Sequence, residues 1–106
     1  MRAVENVACS NMAGFVMNFS IRWLDGSGKW NTSEWNSGNY PIDQSRTCNL
    51  RKDAKIPDDA VAVAPYVHAI LGKHEEGNPL VSSASNGQTA TYEVKGTTLD
   101  YSVKLL

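Results

Sequence analysis

The chain has 106 residues, of which 42% are hydrophobic and 20% are charged, and its formal net charge is −1. This composition is typical of one globular domain over residues 1–106 and excludes a disordered chain. The balanced charge provides no basic field for backbone phosphates, so no nucleic-acid partner is expected.

The sequence contains no recognisable targeting or membrane-spanning signal. No apolar run reaches the length of a membrane span, and residues 1–15 lack the apolar segment of a signal peptide. We therefore expect a cytoplasmic chain, a chain secreted by a non-classical route, or the mature form of a secreted protein, and the localisation stays open among these.

Along the chain, side chains alternate with a period of two, which indicates β-strands. In segment 14–24, Phe15, Phe19 and Ile21 share one face, whereas polar residues such as Ser20 lie on the other. Gly- and Asn-containing turns separate the strands at short intervals. Strands are predicted at residues 2–8, 14–24, 29–35, 45–50, 60–64, 66–71, 79–83, 88–95 and 98–106. The pattern predicts an all-β fold, an antiparallel β-sandwich of about eight strands, with a small closed β-barrel as the alternative.

Pro65 separates two of these predicted strands. A proline cannot donate a hydrogen bond to a sheet ladder, so it marks a sheet edge or a bulge. Residues 60–64 and 66–71 therefore form either one interrupted strand or two separate strands. At most one helical turn is expected, between residues 50 and 59, because only a short run of residues there favours the start of a helix.

Cys9 and Cys48 are the only cysteines. Two cysteines are too few for a disulfide framework, and they lack the spacing of a zinc site. They form either a single bridge between the N-terminal strand and the fourth strand or two reduced thiols.

All three tryptophans lie in the stretch RWLDGSGKWNTSEWNSGNY, residues 22–40. A two-residue turn at Gly26 and Ser27 would place Trp23 opposite Trp30, with both indoles in the core. The same register places Trp35 on the polar face of the sheet. The sequence thus predicts that Trp35 points outward.

An exposed indole beside a loop of amide side chains suits a sugar, whose C–H face stacks on a ring while its hydroxyls bind polar groups. We expect a non-catalytic, lectin-like module that binds a carbohydrate. Trp35 and Tyr40 would stack on the sugar. The polar ligand-binding residues would be Asn31, Asn36, Asn39 and Asp43.

No catalytic, metal or cofactor site is predicted. His68 and His74 lack the spacing of metal ligands, and His74 is expected in a solvated turn. Asp58 and Asp59 are adjacent and would point to opposite faces of a strand, which does not suit an acid–base pair.

Two alternative functions use other features of the pattern. Interfacial Trp and Tyr residues would suit a membrane-active β-sandwich of the toxin or cytolysin type, in which the segment GFVMNFSIRWL rearranges. A structural or assembly role would use exposed sheet edges, with Val16 and Leu24 in a homo-oligomer contact. The expected partners are therefore a glycan or a membrane surface, and a second copy of the chain.

Overall fold

The computed structural model describes all residues 1–106, and they form ten strands and no helix. The strands are β1 (Ala3–Val4), β2 (Asn6–Asn11), β3 (Met17–Leu24), β4 (Trp30–Asn36), β5 (Gln44–Asn49), β6 (Ala62–Ala69), β7 (His74–Glu76), β8 (Ser82–Ser83), β9 (Thr89–Thr97) and β10 (Asp100–Leu105). No segment forms a helix long and apolar enough to cross a membrane.

Two four-stranded sheets face each other, with strand orders β10-β9-β2-β5 and β4-β3-β6-β7. β1 and β8 form a small parallel pair beside them. Each large sheet keeps two open edges, so the fold is a β-sandwich, as predicted, and the closed-barrel alternative is wrong. Within the two large sheets the pairing is antiparallel except between β2 and β9, which run parallel, and nothing in the sequence pattern indicates this parallel pair.

The hydrophobic core lies between the two sheets. The inward side chains of β3, including Phe19 and Ile21, are fully buried, as the period of two predicts. Tyr92 crosses the layer, and its hydroxyl donates to the carbonyl oxygen of Pro79 at 2.6 Å. Burial of these aromatic and aliphatic side chains provides the main stabilisation of the sandwich.

Pro65 lies inside β6, so residues 62–69 form one strand. The backbone nitrogen of Gly77 donates to the Pro65 carbonyl oxygen at 2.8 Å, just beyond the end of β7. A Cβ atom on Gly77 would lie 2.6 Å from the Pro65 ring. Pro65 therefore lies at the position where the neighbouring strand β7 has ended. A residue without an N–H group can be accommodated there because no ladder hydrogen bond from it is needed.

Cys9 and Cys48 are buried free thiols on neighbouring strands β2 and β5. Val7, and not Cys9, lies directly opposite Cys48, so the two cysteines are diagonal neighbours. Burial raises the pKa of Cys48 to about 12, and it also raises the pKa of Cys9. Both thiols are therefore protonated core residues, and the bridged alternative is not realised.

Four loops meet at one end of the sandwich, which we call the loop end: residues 12–16, 37–43, 70–73 and 98–99. Backbone hydrogen bonds join them, from Ile70 N to Val16 O at 2.9 Å and from Lys73 N to Thr98 O at 3.3 Å. The opposite end, where β2 begins and β3 ends, is called the far end.

Candidate functional site

The turn between β3 and β4 has three residues rather than the predicted two. Asp25 N donates to Lys29 O at 2.9 Å, which closes the loop 26–28, and Gly28 adopts a φ of 84°. A three-residue loop that ends on a left-handed glycine shifts the register by one residue. Trp30 consequently lies opposite Leu24, and the predicted pairing of Trp30 with Trp23 is wrong.

The carboxylate of Asp25 organises this turn. It accepts hydrogen bonds from Ser27 N at 3.0 Å, from Lys29 N at 3.1 Å and from Asn31 Nδ2 at 3.0 Å. Hydrogen bonds from Ser27 and then Asn31 hold the pKa of Asp25 well below its usual range. The Asn31 amide is therefore engaged in the turn, although the sequence suggested it as a ligand contact.

The same one-residue shift places Trp35 on the inner side of the sheet, because Trp30 and every second residue after it now face outward. A bulge in β4 lies just before Trp35 and leaves this alternation unchanged. The register shifts between Ser20 and Arg22, and Ser33 Oγ fills the gap by accepting from Ile21 N at 3.1 Å. The Trp35 ring packs edge-on against Phe19, with centroids 5.2 Å apart. Trp35 is thus half-buried against the core, and the prediction that it points outward from the polar face is wrong.

Trp30 takes the outward position instead. The Arg22 guanidinium lies 5.3 Å from the Trp30 ring centroid and 4.8 Å from that of Tyr66. Next to this stack, the His68 and His74 rings lie parallel, with centroids 4.2 Å apart. His74 is the first residue of β7 and pairs with His68, so the prediction that it lies in a solvated turn is wrong.

Tyr40 cannot act as a stacking surface because it is only 1% exposed. Its hydroxyl donates to the carbonyl oxygen of Cys9 at 2.8 Å, and burial raises the pKa of the phenol. The side chain anchors the loop 37–43 to the core, and its proposed contact with a ligand is a wrong prediction.

The other predicted contacts do not gather around Trp35. Asn36 Nδ2 donates to Asn18 Oδ1 at 3.0 Å on the outer face of the sheet, and Asn18 Nδ2 donates to Asn39 Oδ1 at 3.0 Å. Asp43 is exposed at the loop end with a φ of 70°. The six predicted residues are therefore divided among the turn, the core, the outer face and the loop end.

Trp35 and Trp23 instead line an open cleft of about 450 Å³. It lies on the flank of the sandwich, between the edge strand β4 and the segment 50–56. The lining residues are Trp23, Thr32, Ser33, Glu34, Trp35, Asp53, Ala54 and Lys55. Of the predicted site residues, this cleft contains only Trp35.

The segment 50–56 is held in place by one side-chain and one backbone hydrogen bond. Asp53 Oδ2 accepts from Asn49 N at 2.8 Å, and Ile56 N donates to Leu50 O at 2.9 Å. Lys55 adopts a φ of 57°, which turns the chain beside the cleft. Sequence reasoning missed Asp53 and Lys55 because no local pattern connects them with a strand about twenty residues earlier.

The loop end carries a cluster of exposed apolar side chains. Leu71 is 96% exposed and Leu99 is 76% exposed, and the two lie on loops that touch. The cluster consists of Met12, Val16, Ile42, Leu71 and Leu99. These are five of the eight large apolar side chains that the structure exposes, and they come from four separate loops. Of these five, the sequence pattern pointed only to Val16 as a surface contact.

No family model matches this chain, and no curated protein matches it in sequence. Solved structures do match. Listeriolysin O aligns with 95% of this chain at a TM-score of 0.52 and 15% identity. A Gram-negative toxin aligns with 94% of this chain at a TM-score of 0.51 and 16% identity. Pneumolysin aligns with 95% of this chain at a TM-score of 0.51 and 14% identity. The chain shares a fold with part of each toxin. It spans 22% of the listeriolysin O chain, 22% of the Gram-negative toxin and 23% of pneumolysin.

Proposed function

We propose that this protein attaches to the surface of lipid membranes through the loop end of its β-sandwich. The observation that carries the proposal is the concentration of exposed apolar side chains on four loops at one end. Isolated exposed apolar residues are common on protein surfaces, but a concentration of them at one pole is typical of an interaction or membrane site.

Leu71 and Leu99 would enter the membrane first because they are the most exposed members of the cluster. Their loops support each other, since Lys73 N donates to Thr98 O at 3.3 Å. A Cβ atom on Gly72 would lie only 2.9 Å from the Thr98 side chain, so the two loops are in close contact. The pair is thus presented by a preformed surface, which lowers the conformational entropy lost on binding.

Attachment would depend on the transfer of apolar side chains from water into the membrane rather than on charge. The chain has a net charge of −1, and the main cation of the loop end, Lys73, pairs with Glu75 at 2.9 Å. A surface without free positive charge gains little from anionic lipids. Binding to zwitterionic vesicles should therefore depend only weakly on salt.

The likeness to toxin structures supports this proposal over the lectin-like one. The matched proteins include two whose names describe them as lysins and a third described as a toxin. Because this chain covers only about a fifth of their length, we propose membrane attachment and not the whole activity of a lysin. The proposed homo-oligomer through sheet edges stays a prediction.

The segment GFVMNFSIRWL is an unfavourable element for rearrangement. Its strand, β3, pairs with β4 on one side and β6 on the other, and its inner face is buried. Releasing it would break two ladders and expose the core, so the sequence-based suggestion of a rearranging segment has no support in the fold. We expect attachment with the sandwich intact.

Co-sedimentation with phosphatidylcholine vesicles, combined with release of an entrapped dye, tests the proposal. We expect protein in the lipid pellet and dye retained in the vesicles. Protein that remains in the supernatant at every lipid concentration would contradict the proposal.

A further inference from the structure

The cleft on the flank of the sandwich has the chemistry of a small-ligand site. Trp23 and Trp35 provide apolar walls, while Glu34, Asp53 and Lys55 bring charged groups to the same space. A volume of about 450 Å³ lies within the range of roughly 300–1,000 Å³ that is usual for small-molecule sites.

Several polar groups in the cleft are free to bind a ligand. The side chains of Thr32, Glu34 and Lys55 form no hydrogen bond or ion pair within the protein. Asp53 uses Oδ2 to accept from Asn49 N, which leaves its other carboxylate oxygen uncommitted. Hydrogen-bond acceptors and donors without a partner in the protein thus lie beside two indole surfaces.

We propose that this cleft binds the ring of a neutral saccharide. One face of a pyranose is a set of C–H groups that packs on an indole, and its hydroxyls both donate and accept hydrogen bonds. The carboxylates of Glu34 and Asp53 would accept from ligand hydroxyls, and the Lys55 ammonium and the Thr32 hydroxyl would donate. The proposal concerns a site different from the loop end and does not depend on membrane attachment.

Other ligand classes fit the cleft less well. Two carboxylates beside one ammonium disfavour an anion such as a phosphate. A lipid headgroup would lie in the plane of a membrane at the loop end, whereas the segment 50–56 is tied to the far end by the hydrogen bond from Leu50 N to Glu5 O at 3.0 Å. A glycan extends away from a surface and can reach the flank.

The test titrates the protein with methyl β-galactoside, methyl α-mannoside, N-acetylglucosamine and lactose, and it follows intrinsic tryptophan fluorescence. We expect a saturable change with at least one sugar and a Kd on the order of 1 mM, as is reasonable for a ligand of this size. Sorbitol and choline at equal concentration should give no saturable change. An immobilised glycan array extends the search beyond these four sugars.

Variants then locate the site. Trp35→Ala should weaken binding at least about tenfold because it removes a stacking surface. Since Trp35 also packs on Phe19, the exposed residue Glu34 provides a second test, and Glu34→Ala should weaken binding without changing the thermal unfolding curve. Trp30→Phe is the matched control, since this indole lies on the outer face and binding should be unchanged.

Three results would overturn the proposal. These are the absence of saturable binding to any of the sugars and to the array, a saturable response to choline or sorbitol, and wild-type affinity in both Trp35→Ala and Glu34→Ala. Vesicle binding by Glu34→Ala reports separately on the loop end, so the failure of one proposal leaves the other standing.

Discussion

The double substitution Leu71→Ala and Leu99→Ala should greatly weaken attachment to vesicles. Each substitution removes about three methylene-sized groups, and each group contributes about 0.8 kcal/mol when it moves from water into an apolar medium. Full insertion of both side chains would thus favour the wild type by about 5 kcal/mol, and half insertion by about 2.5 kcal/mol. The double variant should therefore partition into phosphatidylcholine vesicles between about 70-fold and about 5,000-fold more weakly.

The same substitutions should leave the folded protein nearly unaffected. Leu71 and Leu99 are 96% and 76% exposed, so alanine removes little packing. We expect the free energy of unfolding to change by no more than about 0.5 kcal/mol in urea titrations. Weaker vesicle binding with unchanged stability would locate the effect in the membrane contact.

Leu106→Ala is the matched control because Leu106 is 68% exposed at the far end. This single change removes the same groups from a surface that should not touch the membrane, so vesicle binding should equal that of the wild type. The reasoning is refuted if the double variant co-sediments as strongly as the wild type, or if Leu106→Ala weakens binding to a similar extent.

Other predictions concern stability and reactivity. Gly77→Ala should destabilise the protein by about 1–3 kcal/mol in urea titrations because its Cβ would lie 2.6 Å from the Pro65 ring. The lowered pKa of Asp25 contributes stability above the unfolded pKa of about 3.9, and this contribution is lost as pH falls further. Acid titrations of Asp25→Asn should therefore show less loss of stability below pH 4 or so than the wild type. Burial and raised pKa values should keep Cys9 and Cys48 unreactive toward a thiol reagent at pH 8 until urea unfolds the chain, and fast reaction of the native protein would contradict their placement in the core.

The hairpin between β3 and β4 shows which structural features the local sequence pattern can predict and which it cannot. Alternation in β3 correctly predicted which side chains enter the core, including Phe19 and Ile21. The register of β4 depended on the length of the turn. Gly28 adopts the positive φ, which gives the turn three residues instead of two. Since a one-residue shift reverses every side chain, this single torsion moved Trp30 from the expected core to the outer face.

The candidate sites could not be predicted in the same way, because each joins residues that are distant in the chain. Trp35 meets Lys55 only where the segment 50–56 folds over the edge of β4, and the register shift at the turn was needed to turn its indole inward. The loops that carry Leu71 and Leu99 meet only because both sheets end at the same pole. Neither arrangement leaves a signal in the spacing of apolar residues.

The amino-acid sequence by itself determined the all-β class, most of the strands and the inner face of the central strand. These follow from side-chain alternation and turn residues, which act over a few neighbouring positions. Only the tertiary structure decided the parallel pairing of β2 with β9, the exchange of positions by Trp30 and Trp35, and the grouping of loops at one pole. Those features depend on strand register and on contacts between distant segments, where the free energy of the whole packed sandwich selects one arrangement.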